Sequence, residues 1–289
     1  MPTKIEKDSV TGTQTTGHEW DGIKELDTPM PKWWVYTFMA CIGVAVVMFV
    51  LYPGIPYGPG YFHGLLGYSG RVTVDKEVAA VTAIRATSMN KIAAASFDQI
   101  KADPQLLTVA ETAGKATFAN NCQPCHGAGG AGRVGFPALA AGAWIWGGKL
   151  DDIVTTVTHG IRSGDADARA SQMPRFADGI LDPAQLEQVG NYVWTNFYGH
   201  ADPKLNVGKG AAIFADNCVV CHGDKGQGGR EFGAPRLASH VHLYGDSYEA
   251  VMSQVHNPKG GVMPNWNTRL DKATIKSVAL YVHSLGGGE

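Results

Sequence analysis

Four of the five cysteines in this 289-residue chain lie in two C-x-x-C-H runs, Cys122–Cys125–His126 and Cys218–Cys221–His222. Two thiols at that spacing, followed at once by an imidazole, have three chemistries open to them: a dithiol redox pair, a zinc site, or covalent haem attachment. A redox pair calls for a strand–helix–strand setting, which neither run has. A structural zinc takes four ligands, and each run offers at most three. Haem attachment uses all three residues, two as thioethers on the vinyl groups and the histidine facing the iron. Each run ends an F-x-x-x-C segment and is followed by Gly. We therefore expect two covalently attached haem c groups per chain. Cys122, Cys125, Cys218 and Cys221 are the attachment points, and His126 and His222 are axial ligands.

The second axial ligands are expected in the loop before the last helix of each copy. There Met173 and Met263, each followed by Pro, hold equivalent places. A thioether opposite imidazole raises the reduction potential and fills the sixth position, so the iron transfers electrons rather than binding oxygen. Met252, His159, His240, His242 and His256 are the alternatives. Met252 reads as a packing residue in mid-helix. His159 and His256 are paired in the repeat, and each suits the C-terminal dipole of a helix. Pro137 and Pro235 shape the backbone beside the axial histidines, whose second ring nitrogen needs an acceptor. Arg162 and Lys259 read either as partners of haem propionates or as solvated charges. Trp144 and Trp146 have no aromatic counterparts in the second copy. They read as packing over a haem edge or as a docking surface. No catalytic residue is expected.

These residues are positioned by an internal repeat. Gly114, Phe118 and Cys122 recur as Gly210, Phe214 and Cys218, an offset of 96, while Met173 and Tyr192 recur as Met263 and Tyr281, offsets of 90 and 89. The second copy thus has a shorter loop before its methionine. Each copy reads as an N-terminal helix (114–121; 210–217), the C-x-x-C-H turn, a Gly-rich loop, a middle helix (151–159; 247–256), the Met-Pro loop and a closing helix (183–198; 272–285). Asp182–Pro183 is a good helix start. The expected domains are 108–199 and 204–289, joined by a turn at His200–Pro203, with each copy closed by its own last helix and its own methionine. Units of about 90 residues are small for a self-sufficient apolar core, and a central haem remedies that.

From Trp33 to Tyr52 the chain has 20 residues without a charge, enough to cross a bilayer as a helix. Trp33, Trp34, Tyr36, Tyr52 and Tyr57 suit the interfacial belts. Lys4, Lys7, Lys24 and Lys32 precede the span, and the next basic residue is Arg71, so the N-terminus is expected in the cytoplasm and the rest outside it. Residues 1–32 form a polar cytoplasmic segment, 33–52 the span, and 53–107 a linker with an Ala-rich helix over 75–101, broken at Asp103–Pro104. That helix is expected to pack on something, such as another chain. The fold class is all-α: one N-terminal transmembrane helix, then two tandem class I cytochrome c domains. A formal net charge of −2 argues against nucleic-acid binding, which wants a basic patch.

With these residues assembled, the chain resembles the dihaem subunit III of cbb3-type cytochrome c oxidases, the FixP or CcoP family. The resemblance rests on His18–Glu19–Trp20–Asp21–Gly22–Ile23, Pro31–Lys32–Trp33–Trp34, Gly67–Tyr68–Ser69, Trp144–Ile145–Trp146–Gly147–Gly148, His159–Gly160–Ile161–Arg162, Gly261–Val262–Met263–Pro264 and Tyr281–Val282–His283–Ser284–Leu285. It implies a single-pass subunit of the bacterial inner membrane, with its haem domains in the periplasm. It also implies partners: a catalytic haem–copper oxidase subunit, a monohaem cytochrome c subunit and a donor cytochrome c. The implied role is to accept electrons and relay them to the catalytic subunit of an oxidase that reduces O2 to water and moves protons; this chain is not itself the site of O2 reduction. A competing reading is an anchored dihaem electron carrier serving a periplasmic dehydrogenase. A haem-based gas sensor would need an open iron site, and the paired methionines argue against one.

Overall fold

A computed structural model describes residues 4–200 and 202–289. Met1–Thr3 of the N-terminal segment, and Ala201 within the expected His200–Pro203 turn, lie outside the described residues. The chain divides into two compact units, Met1–Val81 and Thr82–Glu289.

The first unit begins with a hairpin inside the polar N-terminal segment. Strands β1 (Thr15–Trp20) and β2 (Ile23–Leu26) pair antiparallel, with Trp20 opposite Ile23. Asp21 and Gly22 both adopt positive φ, at 49° and 83°. That is the two-residue turn whose twist matches paired strands, and Asp-Gly is its usual sequence. Helix α1 (Lys32–Leu51) follows, with no buried residue along its length, as an apolar helix facing lipid requires. It is long and apolar enough to cross a membrane. A small ribbon, β3 (Pro56–Tyr57) with β4 (Gly60–Tyr61), follows the span. The chain then returns so that the amides of Leu65 and Leu66 donate to the carbonyls of Val50 and Leu51, at 2.9 and 3.1 Å. Those end-of-helix carbonyls would otherwise lack partners. Gly64 makes the approach possible: its φ is +73°, and a Cβ there would collide with the backbone of Leu51 and Tyr52.

The unit boundary falls inside α2 (Gly70–Ala94). Ser96 stops that helix and starts α3 (Phe97–Ala102) with a capping box to Gln99. Asp103 and Pro104 start α4 (Pro104–Asn121), the Asp side chain accepting from the amides of Gln105 and Leu106. The Ala-rich segment is therefore two helices rather than one. Its C-terminal part packs within its own unit: Ile92 and Ile100 are fully buried against α4 and the last helix of the chain. Lys276 Nζ lies within hydrogen-bond reach of the carbonyls of Ile92, Ala93 and Ala95.

The second unit continues with α5 (Gln123–His126), α6 (Leu150–His159), α7 (Pro183–Asn196), α8 (Gly210–Asn217), α9 (Val219–His222), α10 (Tyr248–His256) and α11 (Lys272–Ser284). Asp182, Ser247 and Asp271 cap three of them through their side chains, each cap contributing about 1 kcal/mol. The packing differs from two self-closed copies. The helix that closes on α4 is α11, and α7 closes on α8. One core joins α4 and α6 of the first copy to α11 of the second, with Phe118, Ile153, Val157, Val278 and Leu280 buried. The other joins α8 and α10 of the second copy to α7 of the first, with Ile213, Phe214, Val251, Val189 and Val193 buried.

The physical reason lies in the repeat itself. At the first crossing, a Cβ on Gly114 would collide with the Ser277 backbone, and the Phe118 and Tyr281 rings lie 5.4 Å apart. At the second, a Cβ on Gly210 would collide with the Gln188 backbone, and Tyr192 and Phe214 lie 5.7 Å apart. The contact residues are the same in both copies, so crossed and uncrossed pairings satisfy them equally. Chain order then favours α7 beside α8, because consecutive elements tend to be neighbours in space.

Candidate haem-binding site

Each C-x-x-C-H run sits on a short helical turn continuing from its N-terminal helix. The amides of Cys122 and Cys218 donate to Phe118 and Phe214 carbonyls, both at 2.8 Å. Those of His126 and His222 donate to the carbonyls of Cys122 and Cys218, at 2.8 and 2.9 Å. Gly127 and Gly223 then take φ of 78° and 73° and turn the chain away, a conformation glycine adopts without steric cost.

The histidines are held alike. His126 Nδ1 lies 3.0 Å from the Pro137 carbonyl, and His222 Nδ1 lies 3.0 Å from the Pro235 carbonyl. A carbonyl oxygen only accepts, so Nδ1 carries the proton and donates. That leaves Nε2 unprotonated in the neutral ring, as a metal ligand requires. Burial pulls both imidazoles below their usual pKa range, with the proline carbonyls partly opposing. Burial also pushes the Cys122 and Cys218 thiols up to about 11.

Both runs and both Met-Pro loops line one cavity of about 530 Å3, with Cys122, Cys125, His126 and Met263 in its wall, as well as Cys218, Cys221, His222 and Met173. The methionines are placed crosswise. Met263 packs against the core that holds Cys122, and Met173 against the core that holds Cys218. The hold on Met263 is a two-way backbone bridge to the first copy: Met263 and Ile161 exchange N–H···O bonds, both at 3.0 Å. Gly160 permits it, with φ of 74° and a Cβ position that would meet the Met263 carbonyl and the Asn265 amide. The next turn follows the same rule, the Trp266 amide donating to the Val157 carbonyl at 3.1 Å. The donor set fits iron porphyrins: paired cysteines for covalent attachment, an oriented imidazole, and a thioether sulfur in the same cavity.

The other residues singled out from sequence fall away from the ligand positions. His159 Nδ1 pairs with Asp165 at 2.9 Å. Met252 lies against Gly190 of α7, a packing role. His242 stacks on Tyr198, centroids 3.7 Å apart. Trp144 donates its indole N–H to the Gly287 carbonyl and packs on the first core. Trp146 lines the cavity, lies against Gly233 and carries the Arg169 guanidinium over its ring at 5.4 Å. Arg162, exposed at the cavity wall, donates from Nε to the Gly261 carbonyl at 2.7 Å and from Nη1 to the Ser171 carbonyl at 2.8 Å.

Comparison with known proteins places the chain in a family. The family model described as the N-terminal domain of cytochrome oxidase-cbb3, FixP, matches residues 12–59. The cytochrome c model matches 111–197, and that of cytochrome c oxidase, cbb3-type, subunit III matches 206–282. The chain is 47% identical over 291 residues to the cbb3-type cytochrome c oxidase subunit CcoP of Cereibacter sphaeroides, covering 100% of both chains. It is 46% identical over 290 residues to subunit FixP of Bradyrhizobium diazoefficiens, again covering 100% of both. Against FixP of Rhizobium meliloti it is 46% identical over 283 residues, covering 98% of this chain and 97% of the relative. The dehydrogenase-carrier reading finds no support among these relatives. A mostly helical chain with one candidate membrane helix among its described residues and two cytochrome c regions, matched along its whole length, belongs to the CcoP/FixP family of cbb3-type cytochrome c oxidase subunits.

Proposed function

We propose that this chain carries two covalent haem c groups in one shared cavity and relays electrons from a donor cytochrome c to the catalytic haem–copper subunit of its oxidase. The observation that carries the reading is that cavity, into which both C-x-x-C-H runs and both Met-Pro loops open. Cys122 and Cys125 would attach one haem, with His126 and Met263 as its axial pair. Cys218 and Cys221 would attach the other, with His222 and Met173. When bound, these groups supply reversible one-electron chemistry at iron. The chain's own part is orientation and protection. The proline carbonyls fix the imidazole planes and make the ring nitrogens better ligands. Met263 and Met173 would offer thioether sulfur to the irons, and the apolar wall would limit water and so favour the less charged reduced state. The single anchor, with its basic residues on the N-terminal side, supports a cytoplasmic N-terminus and periplasmic haem domains. A monohaem cytochrome subunit completes the proposed set of partners.

Gentle detergent purification of the tagged chain, with pyridine haemochrome analysis and an oxygen-uptake assay, tests this reading. The expected result is two covalent haems per chain, co-purifying with a haem–copper subunit and cytochrome c-dependent oxygen uptake. Recovery with a single haem, or without a haem–copper subunit, would overturn it. Met173→His and Met263→His are each expected to lower one midpoint potential, since imidazole in place of thioether favours the oxidised iron. Unchanged titrations would reject those ligands.

A further inference from the structure

We propose that Arg162 is the positioning residue for both axial methionines, one guanidinium holding the two Met-Pro loops in register across the shared cavity. This rests on the assignment of Met173 and Met263 as iron ligands. Arg162 Nε donates to Gly261, two residues before Met263, and Nη1 donates to Ser171, two residues before Met173. One planar, permanently charged group therefore grips the same relative carbonyl in both loops. Fixed fork geometry makes arginine suited to such two-point contacts, and lysine is no substitute.

The backbone supports a selected role. Arg162 has a φ of 52°, and it and Asp21 are the non-glycine residues with positive φ among those described. A non-glycine residue in that region is strained and persists only where its surroundings over-determine it. Here they do: the Arg162 amide donates to the Arg169 carbonyl at 2.9 Å, the Arg169 amide returns to Gly160 at 3.1 Å, and Ile161 is bridged to Met263. The turn that strains Arg162 is what points its side chain across both loops. The second copy has Lys259 at the comparable place, so one arginine serves two sites.

The two loops depend on it unequally. Met263 keeps its backbone bridge to Ile161 whatever happens to the side chain. Among the described residues, no backbone–backbone hydrogen bond involves Ser171, Gln172 or Met173. Arg175 Nε reaches Asn257 Oδ1 at 2.8 Å, beyond the methionine rather than before it. Loss of the guanidinium should therefore loosen Met173 more than Met263.

Arg162→Gly separates the side chain from the backbone, because glycine accepts the left-handed conformation without strain. The full chain, purified in detergent with its haems, would be compared with wild type by haem count, by the thioether-to-iron charge-transfer band of the oxidised state, and by redox titration. The expected result is two haems still attached, a weakened charge-transfer band, and both midpoint potentials lowered, with the larger fall at the haem on Cys218 and Cys221. An intact band would overturn the proposal. This holds whether the potentials are unchanged, as for a surface charge, or shifted, as for a propionate partner. Arg162→Lys serves as a folded variant that keeps the charge, and it is expected to weaken the band as well; full rescue by lysine would also overturn the proposal. Met173→His and Met263→His distinguish the two levels of failure. If neither removes band intensity, the ligand assignment has failed. If each does and Arg162→Gly does not, only the role of Arg162 has failed.

Discussion

Residue types carry the expectation of haem chemistry. The cysteines, the two histidines and the Met-Pro pairs stood out because their spacing has few other uses. The proline carbonyls beside them were expected from what a ligating imidazole needs, and they lie 3.0 Å from each Nδ1. Arg162 was not legible in this way. Its partners are backbone carbonyls 9 and 99 positions away, and a carbonyl carries no sequence mark. The His159–Asp165 pair is hidden for another reason: five irregular loop residues bring the carboxylate back to the helix end, and no sequence periodicity marks such a return. Asn267 Nδ2, the Asp167 amide and His159 together hold the Asp165 carboxyl below its ordinary value of 3.8. A depressed carboxylate stabilises the fold above its unfolded pKa and loses that contribution as pH falls through the lower folded value. Stability measured by denaturant titration should therefore fall below about pH 3.8 in wild type and fall less steeply in Asp165→Asn. Parallel pH profiles would show that the carboxylate contributes nothing.

At the scale of elements, sequence reading placed the helices well. The span, the middle helices and the closing helices lie within two residues of their expected bounds, because caps and apolar spacing are local signals. The Asp21–Gly22 hairpin carries its signal in its turn alone, since the surrounding segment is too polar to announce strands. What local signals could not carry is the exchange of closing helices. Gly114 and Gly210, Phe118 and Phe214, Tyr281 and Tyr192 are matched pairs, so either partnering looks equally good on paper. A double-mutant cycle separates them. Phe118 and Tyr281 should couple by about 0.5–1.5 kcal/mol, the range for packed aromatic pairs, and Phe118 and Tyr192 not at all. Coupling of the second pair would restore self-closed copies. Gly114→Val and Gly210→Val should each destabilise the unit by about 1–3 kcal/mol, as overpacking does, and thermal unfolding would register it.

At the scale of the whole molecule, the crossed packing means that neither repeat is complete without the other. Each C-x-x-C-H run faces the methionine of its sibling, and both open on the same cavity. Two haems bound as proposed would lie close together, because both runs open on that one cavity. The direct test is a high-resolution structure of the haem-loaded chain within the detergent-purified oxidase, read at the four axial positions. Met263 sulfur on the iron opposite His126, and Met173 sulfur opposite His222, is the expected result. Met173 opposite His126, or an iron with no methionine, would contradict it.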